Sequence, residues 1–276
     1  MSKQNSTKKQ HYIPREYLDG FADDNSLISY YDLYKQDYIP ANLTKRQCYE
    51  NYLYEFKDNA NNIILLNHIE HGFQAIESPY KDKIKAIKEN GYRIIEEEKP
   101  YWILYIAMQI LRMPSTIDLI EQYITPSLPK SDNLNHTRNV ALRITFPFFR
   151  ELEINCPDFK ILEEFCQRLI DMDICVAHDD HKRLFTSDFP IYLETTDNPS
   201  KTYKSVVFPL NSELCILMNR LDENRQQIRD SIEIDDKVYK YIFYATVRAS
   251  EKKLYTSRRF TDEELKWIKM IQAEEE

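Results

Sequence analysis

The sequence predicts an α+β fold, with a mostly helical core and a small antiparallel sheet in the C-terminal half. Three observations predict it. Apolar residues recur at helical spacing through most of residues 61–172. Near residue 174 the period changes to short apolar runs bounded by turn residues. Between them, Pro100 to Met113 is apolar almost all round, which marks a helix enclosed by other elements. The predicted organisation is a disordered polar tail over 1–10 and a single α+β domain over 11–255. Its helical part spans about 55–172 and its sheet part about 174–220, and a C-terminal helix follows over 256–276.

In chain order, Pro14 suits a first helical turn, because its missing N–H would have no partner there. Tyr17, Leu18 and Phe21 then fall on one face of a short helix. After the turn residues Ala22 to Ser26, Leu27–Leu33 and Tyr38–Ile39 pair as a hairpin around Lys35–Asp37. Asn61 to Glu77 reads as one amphipathic helix, with His68 and His71 on its solvent side. Their spacing of three is not that of a zinc-binding pair of histidines four apart. A charged helix from Lys81 to Glu98 is interrupted at Asn90-Gly91. The apolar helix that follows is stopped by Pro114, which disfavours the α conformation at Met113. Pro126, Pro129 and Ser131–Asn135 mark a loop. Helices resume over Arg138–Arg150, with Pro147 kinking or ending the first of them, and over Phe159–Met172.

The strand runs are Ile174–Ala177, Arg183–Thr186, Ile191–Leu193, Ser205–Leu210 and Leu214–Leu217. Lys237–Lys253 returns to helix, and Thr261-Asp262-Glu263-Glu264 is a capping box opening the last one.

Composition excludes several functional classes. With only Gly20, Gly72 and Gly91, neither a phosphate-cradling loop nor a dinucleotide-binding glycine turn can be written. No run approaches the roughly 18 apolar residues of a membrane span, so no membrane partner is expected. Residues 1–10 lack the apolar segment of a secretory signal. The five cysteines form no Cys-x-x-Cys pair, and reduced thiols in the cytoplasm are the expectation. A net charge of −8 disfavours a general nucleic-acid coat but leaves room for a local basic surface.

Five residues stand out as candidates for a site. His11 precedes a helix start and has an ordinary pKa near neutrality, which suits acid–base work or a metal; the plainer role is packing. Gln109 and Arg112 share one side of the most apolar helix. A buried guanidinium calls for a carboxylate, and Glu70, at the margin of a buried face, is the natural partner. The same pair can be a structural bridge between core helices or a pocket in which Arg112 holds a phosphate. Asp188, in Thr186-Ser187-Asp188-Phe189-Pro190, either orients His11 or ligates a metal, or else caps a turn. His178-Asp179-Asp180-His181 has metal-ligand residue types at a predicted hairpin tip, where solvated charges are common.

Several segments together resemble a widespread, mainly bacterial family known only as a domain of unknown function. His11-Tyr12-Ile13-Pro14-Arg15-Glu16-Tyr17-Leu18-Asp19-Gly20-Phe21 resembles its HYxPxxYLxxF opening. Cys48 to Tyr54, Ile69-Glu70, Gln109 to Pro114 (QxxRxP) and Phe208-Pro209-Leu210 are similar to later blocks. Phe185 to Ile191 resembles its FxTSDxPV turn, with Phe189 in place of a common asparagine. The likeness runs over about 11–250. It implies that His11, Glu70, Gln109, Arg112 and Asp188 form one set, and it supplies no activity.

The expected function is therefore a phosphodiester hydrolase, nuclease-like and of a bacterial defence or toxin type, acting on a short RNA or a nucleotide. His11 would be the general acid or base, and Glu70 and Asp188 would orient it or bind a divalent metal ion. Arg112 would stabilise phosphoryl charge and Gln109 would position the substrate. The alternative is a non-catalytic module that binds a nucleotide or a protein partner. Oligomeric state is not legible from the sequence.

Overall fold

The computed structural model describes residues 8–132, 134–146, 160–195, 203–220 and 230–274. The first part of the chain contains β1 (Lys9–His11), α1 (Arg15–Asp19), β2 (Leu27–Asp32), β3 (Asp37–Leu43), β4 (Tyr49–Asn51), β5 (Phe56–Lys57) and β6 (Ile63–Leu65). The helices α2 (His68–Glu77), α3 (Tyr80–Glu89), α4 (Lys99–Leu111), α5 (Pro114–Ile124), α6 (His136–Thr145) and α7 (Ile161–Ile170) follow. The last part holds β7 (Asp173–His178), β8 (Thr186–Ser187), β9 (Tyr192–Thr195), β10 (Tyr203–Pro209), β11 (Leu214–Asn219), β12 (Ser231–Glu233), α8 (Asp236–Ala249), β13 (Lys253–Thr256) and α9 (Asp262–Ala273).

The fold is α+β, but a helical core with one small C-terminal antiparallel sheet is not what forms. Among the described residues four sheets are spread along the chain. The largest has the order β12-β7-β11-β10-β9 and is mixed, because β12 runs parallel to β7. A second, β3-β2-β13-β8, joins the predicted N-terminal hairpin to two strands, Thr186–Ser187 and Lys253–Thr256, far later in the chain. The small ribbons β1–β4 and β5–β6 complete the set. Strands of two or three residues are too short to show an alternating pattern, which is why β1, β4, β5, β6 and β8 escape a periodicity argument.

Alternation explains the layers. In the five-stranded sheet Val176, Val206, Phe208, Ile216 and Met218 face one core with α1, α3 and α4. Cys175, Ala177, Val207, Cys215 and Leu217 face a second core with α8 and α9. Successive side chains point to opposite faces of a strand, so a sheet covered on both sides reads as an unbroken apolar run. Trp102 and Ile106 of α4 are fully buried in the first core, while Ala107, Met108 and Leu111 pack into a third, formed with α2, α5, α6 and α7. That double duty is what an all-round apolar helix requires.

Several boundaries differ from expectation, and of the predicted strand Arg183–Thr186 only Thr186 is paired, in β8. The predicted helix from Asn61 starts only at His68, because Asn67 adopts a left-handed conformation (φ 58°) and Ile63–Leu65 pairs with β5. Lys253 belongs to a strand, since Ser250 is extended and ends α8. Lys9 and Gln10, assigned to the polar tail, are paired with Asn51 and Glu50. The expected break at Asn90-Gly91 is present, with Gly91 at φ +70°. Met113 is extended (ψ 137°) before Pro114, so α4 ends there and a further helix, α5, starts directly. The predicted capping box opens α9, where Thr261 and Glu264 bond reciprocally. Residues 1–7 and Pro147 lie outside the described residues.

The opening segment is anchored by its apolar face. Tyr17, Leu18 and Phe21 are buried, and the Tyr17 ring stacks on Phe208 at 5.4 Å while its hydroxyl donates to the Pro209 carbonyl at 2.7 Å. A Cβ on Gly20 would stand 2.9 Å from the Asn211 Cβ, so glycine permits α1 to sit against the β10–β11 turn. No helix among the described residues is long and apolar enough to cross a membrane.

Candidate functional site

The N-terminal arm, Gln10 to Ile13, runs between the end of α4 and the strand β4. Because β1 is extended, neighbouring side chains point opposite ways. Gln10 turns inward, fully buried; its amide nitrogen donates to Glu55 Oε1 (2.6 Å) and its oxygen accepts from the Tyr54 N–H (2.8 Å). Glu55, buried as well, also accepts from the Asn67 N–H at 3.0 Å, and burial holds its carboxyl above the usual range. The Gln10–Glu55–Asn67 group was not singled out from sequence. Its three members lie 45 and 12 positions apart, so no local pattern in the sequence links them.

Two of the predicted residues hold the backbone of this arm. Gln109 Nε2 donates to the Tyr12 carbonyl (2.8 Å), and Arg112 donates from one terminal nitrogen to the His11 carbonyl (2.5 Å). Its other terminal nitrogen is paired with Glu77, not with Glu70 as expected. The guanidinium lies over the Phe73 ring at 4.1 Å, and the Tyr54 hydroxyl donates to the Arg112 carbonyl at 2.7 Å. The reason is the spacing on α2. Glu70, Phe73 and Glu77 recur at offsets of three and four and so share one helix face, with Phe73 as the platform and a carboxyl on either side.

Glu70 remains beside Arg112 without bonding to it. Its Oε1 is buried and has no hydrogen-bond partner among the described residues, and the same is true of Arg112 Nε. Burial pushes the Glu70 carboxyl up to about 7, against the pull of Arg112 and with the repulsion of Glu77 and Glu55. Phe73, Glu77, Tyr105, Met108, Gln109 and Arg112 line a cavity of about 10 Å³ here. That is room for about one water molecule.

The His11 ring points the other way. Its Nε2 lies 3.3 Å from the Lys45 carbonyl, and its ring is 5.6 Å from that of Tyr49. Lys9, two residues earlier and on the same side of β1, places its ammonium 4.4 Å over Tyr49. Lys45 and Arg46, in the turn before β4, are exposed. Desolvation lowers the His11 pKa, the Lys45 carbonyl opposes this, and Arg112 lowers it further, so the neutral ring is favoured. Glu77 and Glu16 are the acidic groups that act on it.

Asp188 does not orient His11. Its carboxylate is buried and accepts from the backbone N–H groups of Glu251 (2.9 Å) and Lys252 (3.0 Å), while its own N–H donates to the Lys253 carbonyl. It therefore ties the β8 turn to the start of β13, a cap across the chain rather than within its own turn. Its charge also acts on the Tyr12 hydroxyl and Cys48 thiol, which is how the two parts of the predicted set adjoin. Cys48 donates to the Tyr255 hydroxyl at 3.3 Å, and burial pushes its thiol up to about 12, far from a reactive thiolate.

Glu70 and Asp188 thus stand in different surroundings, and the divalent-metal site expected from them is not assembled. Among the described residues no group of three or more His, Cys, Asp or Glu could hold a metal ion. In the His178–His181 segment, Asp179 is buried in an ion pair with Arg183 (3.0 Å) and His178 stacks on Tyr92 at 4.2 Å.

No curated protein and no solved structure matches the chain. The family described as "Protein of unknown function (DUF4238)" matches residues 9–260, a span that contains the arm, α4, the Asp188 turn and both larger sheets, and the chain belongs to that family.

Proposed function

We propose that the protein is a recognition module for a nucleotide or a short RNA, bound on the outer face of the clamped N-terminal arm. The observation that supports this is the division of labour in the arm. Gln109 and Asp188 bond backbone groups and Arg112 bonds the His11 carbonyl and Glu77, whereas Lys9, His11 and Tyr49 gather on the outer face of the β1–β4 ribbon, with exposed Lys45 and Arg46 beside it. Cations flanking an aromatic ring suit a phosphate next to a base, since phosphates need positive charge and every base has a face to stack. The net charge of −8 fits a short ligand better than a long duplex. The free thiols at Cys48, Cys166, Cys175 and Cys215 favour a reducing compartment, the cytoplasm.

Phosphodiester hydrolysis of the nuclease type is the second reading, and His11 favours it. A half-buried imidazole whose burial favours the neutral form, within electrostatic reach of the Arg112–Glu77 pair, suits a general base. In this reading Glu77 replaces Glu70 and Asp188 as the acidic neighbour of His11, and Arg112 holds the arm that carries it. A defence or toxin role would belong to this reading alone.

One experiment separates them. A labelled single-stranded RNA of about ten nucleotides is titrated against wild type and against Lys9→Ala, Arg46→Ala and Tyr49→Ala, at several salt concentrations. Recognition predicts weaker binding for each variant and a salt slope lower by about one for each lysine or arginine lost. Unchanged binding in all three refutes the surface. If RNA is cut by wild type and left intact, but still bound, by His11→Ala, the module is a hydrolase.

A further inference from the structure

The second core leaves a groove open at the surface between α8 and α9. Its volume is about 240 Å³, and Lys240, Phe243, Tyr244, Trp267, Met270 and Glu274 line it. Two features make it unusual for a bare surface. Met270 is 65% exposed at the centre of an aromatic surround. The two charged side chains stand at its ends: Lys240 lies over the Trp267 ring at 5.0 Å, and Glu274, the C-cap of α9, is seven residues beyond Trp267, about 10 Å away at the helical rise. Neither Lys240 nor Glu274 forms an ion pair among the described residues.

We propose that this groove is the contact surface for a second copy of the chain, related by a two-fold axis near Met270. The pattern is self-complementary. In a contact of this symmetry, residue i meets residue j of the other copy and j meets i. A patch with a cation at one end, an anion at the other and an apolar knob midway satisfies that condition with itself. Lys240 of one copy meets Glu274 of the other twice, and the Met270 side chains fill the space between the Trp267 rings, where an unbranched thioether packs well against aromatic faces. An unrelated apolar ligand would use the aromatic walls but has no need of opposite charges set symmetrically about them. The helix α9 also lies beyond residue 260, where the family match ends, so the pairing surface is completed by the part of this chain outside the matched segment. The proposal does not depend on what the arm binds.

Sedimentation equilibrium over a wide range of protein concentration tests it, with three variants at exposed positions whose melting curves confirm folding. Wild type is expected to move from monomer to dimer mass as concentration rises. Met270→Asp and Lys240→Glu should each remain monomeric, the first by placing carboxylates face to face and the second by setting acid against acid. The double charge exchange, Lys240→Glu with Glu274→Lys, should regain dimerisation. A wild type that is monomeric throughout overturns the proposal, as does a dimer indifferent to Met270→Asp. Failure of the double exchange to restore what Lys240→Glu removes overturns the two-fold arrangement. A monomer that carries a co-purified apolar small molecule, seen by native mass spectrometry and lost in Met270→Asp, assigns the groove to that ligand instead.

Discussion

Replacing Arg112 by methionine should show how strongly the end of α4 holds the arm. The side chain is 4% exposed and its partner Glu77 is 20% exposed. Breaking a buried pair by removing one partner costs about 3–5 kcal/mol, because the remaining charge is left desolvated. Glu77 retains some access to water, which places this case near the lower figure, about 3 kcal/mol. The His11 carbonyl also loses its donor, which adds about 1 kcal/mol. Methionine still covers Phe73, so the cavity contribution is small, and the sum is about 4 kcal/mol. For a chain of this size that lowers the melting temperature by about 7 °C. Urea unfolding followed by circular dichroism should show the midpoint falling with the slope unchanged. The pair is then removed as a unit. Arg112→Met with Glu77→Met should recover more than half of the loss, because two matched apolar groups replace a costly ion pair. A single variant within about 1 kcal/mol of wild type, or a double variant equal to the sum of its parts, would refute the clamp.

Two further predictions concern the carboxyls. Glu70, with its folded pKa at about 7 against an ordinary 4.5, binds its proton more tightly in the folded chain than in the unfolded one. Its stabilising share is complete below pH 4.5 and lost as pH rises through about 7, at most about 3 kcal/mol across that window. Glu70→Gln should flatten this stretch of the stability–pH curve and make the protein more stable than wild type at pH 8; an unaltered curve would place the titration elsewhere. Asp188→Asn leaves one oxygen for two backbone donors and should cost about 1–3 kcal/mol. Hydrogen exchange is the sharper readout, since the amides of Glu251 and Lys252 should exchange faster while those of β10 stay protected. Equal protection at both amides would mean the carboxylate is not their anchor.

Much of the fold was legible wherever a segment's own pattern is strong. The enclosed helix at 100–113, the hairpin in the second sheet, the runs that became β7, β9, β10 and β11, and the cap at Thr261 all rest on local periodicity or a local hydrogen bond. The sheets were underestimated for the opposite reason. A two-residue strand such as β8 exists only because β13 lies beside it, and β13 itself was absorbed into the preceding helix. At the site, residue types indicated that Arg112 needs a carboxylate and pointed to Glu70, but Glu77, two turns further along the same face of α2, is the one that reaches it.

By itself the sequence determined which side chains demand partners: a guanidinium and an amide in an apolar helix, an aspartate in a strand turn, a histidine beside a helix start. Burial without compensation is too costly for the first three to be idle. Only the tertiary structure decided who answers them. Gln109 and Arg112 take two carbonyls of the arm, Asp188 takes two N–H groups from the end of α8, and Glu77 takes the charge. Hydrogen-bond partners are fixed by where backbones cross, and such crossings join residues about 60 to 100 positions apart that no local pattern records.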